Sequence, residues 1–305
     1  DVSGNDLLEL WEDDPSTRVI AMYLESFGNP RRFAEIAKRV SRKKPILVVK
    51  SGRTAEGARA ASSHTGALAG PDVTISALLD QCGVLRADTI DDLFDAARLF
   101  ERCPLPAGNR VAIVTNAGGP GIMATDACVN LGLRMAELSA DTERRLAAFL
   151  PPEASLANPV DMIASANEDS YRRALQIVLE DPGVDAVMAI NVTPLLSNPH
   201  DIFAAIREAS ADCAKTVLAV IMASEEFYEE IKSQSGQPPV YRFPESAARA
   251  LAKAVRYAAW RSRPLPVVPE LGIRHAEIAE LLARHPAGYL PSEDAFRVLE
   301  LAGIP

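Results

Sequence analysis

The sequence lacks the features of a membrane protein, of a secreted protein and of a protein stabilised by a structural metal site. No apolar run approaches the roughly 18 residues of a membrane-spanning helix, and the first residues show no signal peptide. The cysteines are far apart and form no CxxC pair: Cys82, Cys103, Cys128 and Cys213. Neither a disulfide framework nor a structural zinc site is expected, and a reducing cytoplasm is the predicted location.

Clustered positive charge is also missing. The 305 residues include 32 Lys or Arg and 41 Asp or Glu, which gives a net charge of −9. Because affinity for nucleic acids and anionic membranes comes from grouped basic residues, we expect neither as a partner. The sequence has no G-x-S-x-G, no H-E-x-x-H and no His, Cys and carboxylate group with metal spacing. Hydrolase activity and a metal site are therefore not expected.

Short apolar runs alternate along the chain with amphipathic stretches. The runs are rich in β-branched residues, as in strands buried on both faces of a parallel sheet. They occupy residues 19–24, 46–49, 111–114, 186–190 and 217–222. Apolar stripes at helical spacing lie between them, at 33–40, 90–97, 171–178 and 251–259. This order predicts an α/β fold with mainly parallel sheets, in which ligands bind at the carboxyl ends of strands.

Two proline-rich segments, at 103–108 and 263–269, predict boundaries in the chain. We expect one domain at 1–105, a second at 106–262, and a linker with the start of a further domain at 263–305. The chain begins without Met and ends at Pro305 just after a helical pattern. We therefore expect a piece of a longer protein.

The segment at 50–71 follows a predicted strand and contains four glycines, many small residues and one histidine, His64. A long loop of this kind in a compact domain is usually functional. The neutral imidazole is nucleophilic near pH 7 and can accept a phosphoryl group. A surface or packing histidine is the alternative, and composition leaves both open. Gly52 and Gly57 have P-loop spacing, but Ala58 and Arg59 replace the required Lys and Ser or Thr, so a nucleotide P-loop is rejected.

A second glycine-rich turn, TNAGGPGI at 115–122, directly follows the run at 111–114. Free backbone N–H groups and the helix dipole make such a turn an anion site. We expect the helix to open at Pro120 or Gly121. A tight turn that needs glycine is the structural alternative. The spacing is not G-x-G-x-x-G, although Glu137 lies about 20 residues on, so a dinucleotide site is disfavoured but stays open.

The last candidate site residues are Glu25, Asn158 and Asp161. Glu25 ends the first strand, where it can accept an imidazole N–H and leave the other ring nitrogen free to react. An exposed surface glutamate is the alternative. Asn158 and Asp161 flank a proline turn, and an Asx-type turn without any ligand is as good an interpretation of them.

The string SSHTGALAG at 62–70 resembles the NDP-forming acyl-CoA synthetases, relatives of succinyl-CoA synthetase. The string is specific, whereas the glycine turn alone would be weak. The resemblance extends over essentially the whole chain, with further matching segments at 1–9, 13–17, 23–25, 116–121, 158–161 and 293–305.

The resemblance implies a ligase with two flavodoxin-like, succinyl-CoA-ligase-type domains, and it implies that the first of them is incomplete at its N-terminus. In this family an acid is joined to coenzyme A at the expense of ATP, through an acyl phosphate and a phosphohistidine. His64 matches the phosphohistidine and Glu25 the glutamate that orients it. The matching phosphate-binding turn contains Asn116, Ala117, Gly118, Gly119 and Gly121. Further candidates for the same site are Arg53, Arg59, Ser63, Thr65, Gly66, Asn158 and Asp161.

The implied ligands are a small carboxylic acid or its acyl-CoA, phosphate, coenzyme A, and ATP or ADP with Mg²⁺. The family places coenzyme A and nucleotide mainly in a CoA-binding domain and an ATP-grasp domain, which we expect as partners outside this chain. This piece alone is expected to be inactive, and a homodimer is the default assembly. One alternative is an acyl-CoA- or effector-binding regulatory module of a synthetase-like lysine acetyltransferase, although the retained His64 favours catalysis. Another is a dinucleotide-binding dehydrogenase.

Overall fold

The structure is a computed structural model that describes residues 2–54, 56–57, 59, 72–193, 198–231, 238–264, 271–285 and 287–304. The residues up to Ser262 form one compact unit, and those from Arg263 onward form a second. Among the described residues, no helix is both long and apolar enough to cross a membrane.

The first part of the larger unit is built around a parallel sheet in the order β1-β2-β3. Its strands are β1 (Ile20–Leu24), β2 (Ile46–Lys50) and β3 (Leu85–Ala87). Its helices are α1 (Gly4–Glu12), α2 (Pro30–Val40), α3 (Asp72–Cys82) and α4 (Ile90–Arg102). Leu8, Phe33 and Leu79 of α1, α2 and α3 pack on one face, and α4 packs on the other. Both faces are covered, which explains the continuous apolar runs of these strands.

The second part contains a larger parallel sheet in the order β5-β4-β7-β8-β9, with β6 also paired to β4. Its strands are β4 (Arg110–Thr115), β5 (Arg134–Met135), β6 (Val160–Asp161), β7 (Ala186–Val192), β8 (Thr216–Met222) and β9 (Val240–Tyr241). Its helices are α5 (Gly118–Asn130), α6 (Ala140–Ala147), α7 (Glu168–Glu180), α8 (Pro199–Ser210), α9 (Glu225–Ile231) and α10 (Pro244–Arg261). Helices α6 to α9 cover one face, and α5 and α10 cover the other.

Helices α4 and α10 form a layer that both sheets share. One core cluster joins Leu47 of β2 and Ile113 of β4 through the apolar faces of these helices. The Tyr257 hydroxyl of α10 donates to the Ser41 carbonyl at 2.8 Å, and the Lys253 ammonium meets the Asp92 carboxylate at 2.6 Å. The two sheets therefore belong to one continuous interior.

The smaller unit consists of α11 (His275–Ala283) and α12 (Ser292–Leu301). The Arg274 N–H donates to the Leu301 carbonyl at 3.0 Å and joins the start of one helix to the end of the other.

The structure confirms the α/β class, the parallel sheets and all five long strands expected from the apolar runs. The expected start of α5 at Pro120 or Gly121 is wrong, because the helix begins at Gly118. The Thr115 hydroxyl accepts the Ala117 N–H at 3.0 Å and holds Ala117 extended, so the helix opens at the next residue. Pro120 then lies in the first turn, where its missing N–H costs nothing.

Candidate functional site

The second sheet has a topological switch point at the carboxyl end of β4. From β4 the chain first adds β5 on one side and later adds β7 on the other. Open α/β sheets bind ligands in the crevice at such a point. Asn116 spans it: its Oδ1 accepts the Val192 N–H and its Nδ2 donates to the Val192 carbonyl, both at 2.9 Å. These paired bonds fix the turn that precedes α5 against the end of β7.

The N-terminus of α5 faces this crevice with little side-chain cover. Ala117 stands at the N-cap position and makes no side-chain cap, so backbone N–H groups of the first turn remain for an anion. A Cβ atom at Gly119 would meet nothing within 4 Å. A Cβ atom at Gly121 would lie 3.2 Å from Thr115 Cγ2, so glycine lets the helix approach β4. The geometry can accommodate a phosphate.

Asp161 lies beside the same turn. A Cβ atom at Gly118 would lie 3.1 Å from Asp161 Oδ2, and Asp161 Oδ1 accepts the Ile163 N–H at 3.0 Å. Ile163 has a φ of +60°, a left-handed conformation that is strained for a β-branched residue. The structure therefore brings Asp161 and Gly118 together.

The Asn158 side chain forms hydrogen bonds with the backbone of the second sheet. Its Oδ1 accepts the Ile113 N–H at 2.9 Å, and its Nδ2 donates to the carbonyls of Val111 at 2.8 Å and Ala136 at 2.9 Å. The peptide bond to Pro159 is cis. The side chain thus links β4 to the chain after β5, while its role toward phosphate stays a prediction.

The first sheet presents charged groups at its carboxyl end. Glu25 follows β1 and is half-buried, and none of the described residues donates a hydrogen bond to its carboxylate. Lys50 ends β2 and is only 5% exposed. Arg86 of β3 contacts Asp72 of α3 at 2.5 Å, and this guanidinium lowers the pKa of the Asp72 carboxyl.

The remaining predicted residues of the first domain divide into two groups. Arg53 and Arg59 lie at the surface, where Arg53 contacts Asp88 at 2.7 Å and Arg59 contacts Glu56 at 3.3 Å. The others lie outside the described residues: Ser63, His64, Thr65 and Gly66.

Sequence reasoning missed several polar groups near the strand ends. Asn191 of β7 is fully buried and donates to the Tyr171 hydroxyl at 3.3 Å, and that hydroxyl donates to the Ile190 carbonyl at 2.7 Å. Burial raises the pKa of Tyr171 well above its usual value. An asparagine at the end of the apolar run at 186–190 was the available signal. Lys50 gave none, because a lysine at the end of an apolar run usually reaches solvent.

Within the described ranges, no group of three or more His, Cys, Asp or Glu residues could hold a metal ion. The residues at both edges suit an anion better: backbone N–H groups and amides at the second sheet, and a lysine and an arginine at the first.

Two family models match the chain. Residues 1–100 match the succinyl-CoA ligase like flavodoxin domain, and residues 111–235 match the Ligase-CoA domain. The first match covers β1 to β3 and most of α4, and the second covers β4 to β8.

Similar proteins carry consistent names. The chain is 42% identical to the alpha subunit of acetate–CoA ligase [ADP-forming] II from Pyrococcus furiosus, over 85% of this chain and 57% of that protein. It is 35% identical to 4-hydroxybutyrate–CoA ligase [ADP-forming] from Nitrosopumilus maritimus, over 100% of this chain and 44% of that protein. The chain therefore spans about half the length of these relatives.

A solved structure shares the fold. It is the dinucleotide forming acetyl-coenzyme A synthetase 1 of Ca. Korarchaeum cryptofilum in complex with phosphate and ADP. The TM-score is 0.79 at 34% identity, over 88% of this chain and 60% of that chain.

Proposed function

Since the chain belongs to the family of the ADP-forming acyl-CoA synthetases, we propose that it is the phosphohistidine core of such an enzyme. The whole protein would convert an acid, coenzyme A and ATP into acyl-CoA, ADP and phosphate. The names of the relatives favour a small carboxylic acid. The observation that carries the proposal is the uncapped N-terminus of α5 at the β4–β7 switch point, where backbone N–H groups can bind a phosphate.

The central step is reversible transfer between an acyl phosphate and His64. A ring nitrogen forms a bond to phosphorus while the bond from phosphorus to the acyl oxygen breaks, which releases the carboxylate. Glu25 would accept the hydrogen bond from the other ring nitrogen and stabilise the positive charge that the ring gains. The first-turn N–H groups of α5 would bind the phosphoryl oxygens. Transfer from His64 to ADP then gives ATP.

The remaining ligands and partners belong to the same proposal. Coenzyme A would bind to a CoA-binding domain, and ATP or ADP with Mg²⁺ to an ATP-grasp domain. We keep the division at 1–105, 106–262 and 263–305, which the family matches at 1–100 and 111–235 and the unit boundary after Ser262 support. A homodimer is proposed as the assembly.

The half-reaction can be tested with ³²P-labelled acetyl phosphate on the whole protein that contains this chain. We expect an acid-labile, base-stable label on the wild type and none on His64→Ala. His200→Ala is the matched control, because it removes a histidine that contacts a glutamate, Glu230, at 2.9 Å and lies outside the proposed site. A label that persists in His64→Ala, or a wild type that takes no label, contradicts the proposal.

A further inference from the structure

We propose that a groove beside the last strand of the second sheet binds a nucleoside monophosphate, whose base stacks on exposed phenylalanines and whose phosphate is held by two arginines. The groove has a volume of about 570 Å³ and lies between α4, α9 and β9. It shares no lining residue with the glycine turn at 115–122 or with the charged groups at the carboxyl end of the first sheet. The inference is therefore independent of the proposed function.

The groove has the size and the location of a ligand site. Cavities that bind small molecules usually measure about 300–1,000 Å³ and are often found between domains. One wall is α4, from the proposed first domain, and the others come from α9, β9 and the start of α10 in the second. The buried Tyr241 hydroxyl of β9 donates to the Asp95 carbonyl of α4 at 2.9 Å. This bond holds the two sides together, so the groove is formed without a ligand.

Two exposed phenylalanines line the groove. Phe94 of α4 is 57% exposed, and Phe243, which precedes α10, is 58% exposed. Phenylalanine is normally buried, so two such rings in one groove are suited to a flat group that stacks on their faces. On the α9 wall, the Arg242 guanidinium lies 4.5 Å from the centroid of the Tyr228 ring and contacts Glu225. The charges of that wall are therefore paired already.

Two arginines of α4 supply positive charge at one end of the groove. Arg98 and Arg102 are four residues apart, so they lie on one face of the helix. The Arg102 side chain is 23% exposed; within the described residues it donates no hydrogen bond, and its one ion pair is 3.6 Å long, to Glu101. Arg98 donates to the Val240 carbonyl at 2.7 Å and forms no ion pair with a described carboxylate. Two guanidinium groups with so few acceptors match the charge of a phosphate dianion.

The order of groups along α4 matches the order of groups in a nucleotide. Asp95 precedes the two arginines, and Phe94 and Asp91 come before it, so the charge changes sign along a wall of about 16 Å at 1.5 Å per residue. Carboxylates accept hydrogen bonds from ribose hydroxyls, which places the ribose at Asp95. Burial raises the pKa of the Asp95 carboxyl, and a hydroxyl that donates to it would offset that cost. The base then lies on Phe94, where Asp91 can accept an amino group.

The test is the binding of AMP to the whole protein that contains this chain, measured by isothermal titration calorimetry. We expect Arg102→Met to raise the Kd about ten-fold or more, because it removes a charged donor, and Phe94→Ala to raise it about ten-fold, because it removes a stacking face. Arg145→Met is the matched control, because Arg145 also lies in the last turn of a helix and contacts one glutamate, Glu180, at 2.7 Å. It should bind AMP like the wild type. Binding that the groove variants weaken and the control does not belongs to the groove rather than to another nucleotide site.

A comparison of ligands separates recognition from packing. Adenosine lacks the phosphate, so the wild type should bind it about ten-fold or more weakly than AMP, whereas Arg102→Met should bind the two with similar affinity. Inorganic phosphate lacks the base, so its affinity should not change in Phe94→Ala. If Arg102→Met does not fold, Arg102→Gln replaces it, because it keeps amide donors without the charge. The inference is overturned if the wild type does not bind AMP, or if the variants of Arg102 and Phe94 bind AMP as tightly as Arg145→Met.

Discussion

The carboxyl edges of the two sheets differ in the chemical groups that they present. At the first sheet the groups near the strand ends are ionisable: Glu25, Lys50, Asp72 and Arg86. At the second sheet they are mostly neutral, since Asn116, Asn191 and Thr115 are buried and the helix N-terminus supplies the positive potential. An edge made of backbone dipoles is fixed by the fold, whereas an edge made of side-chain charges depends on single residues and on pH. Side-chain substitutions at the first edge should therefore act mainly on the proposed chemistry, and substitutions of the buried amides at the second edge mainly on stability.

The largest effect expected at the second edge is on stability. Asn158→Ala removes three hydrogen bonds to the backbone. The backbone groups that lose these bonds stay inside the sheet, so we expect the free energy of unfolding to fall by about 3 kcal/mol. Urea denaturation measures this loss. Asn109→Ala is the control, because Asn109 is near the surface and makes one bond, to the Gly132 carbonyl at 3.2 Å. Equal losses in the two variants would show that Asn158 is not a structural link.

The matching change at the first edge should not alter the free energy of unfolding. Glu25→Gln removes a half-buried carboxylate to which no described residue donates a hydrogen bond. We expect labelling by acetyl phosphate to slow about ten-fold or more, because the imidazole loses its orienting charge. The urea midpoint should stay within error of the wild type. An unchanged labelling rate would remove the role proposed for Glu25.

A smaller effect is expected from the glycines that open α5. Gly118→Ala places a methyl group 3.1 Å from Asp161 Oδ2, whereas Gly119→Ala points into open space. We expect Gly118→Ala to be less stable than Gly119→Ala by about 1 kcal/mol, since alanine otherwise favours a helix. Urea denaturation of both variants tests this. If Gly118→Ala is as stable as Gly119→Ala, Asp161 does not constrain the turn.

The smallest effect is a difference in acid sensitivity. Arg86 lowers the pKa of the Asp72 carboxyl below its usual 3.8. As the pH falls, the Asp72 carboxyl is therefore protonated at a higher pH in the unfolded chain than in the folded chain. The contribution of Asp72 to the free energy of unfolding is present above about pH 4 and is lost as the pH falls below that value. Urea denaturation at pH 5 and pH 3 should show a smaller loss for Asp72→Asn than for the wild type. A loss of the same size would mean that the Arg86 contact adds no acid-sensitive stability.

The sequence predicted much of the framework, because long buried strands carry a visible pattern. Strands of two or three residues, such as β5, β6 and β9, are too short to show any period and were not predicted. The glycine turn at 115–122 was predicted to be an anion site, but its position at a switch point depends on the order of the strands. Lys50 was overlooked because its burial arises only in the folded chain, where β2 lies between β1 and β3.

The layer of α4 and α10 between the two sheets has a consequence for dissecting the protein. Severing the chain within residues 103–108 would leave α4 with one fragment and α10 with the other. Each fragment would then expose a broad apolar helix face to water. This face includes Ala96 and Leu99 of α4 in one fragment and Leu251 and Tyr257 of α10 in the other. We expect such fragments to aggregate when they are expressed separately and to be soluble when they are co-expressed.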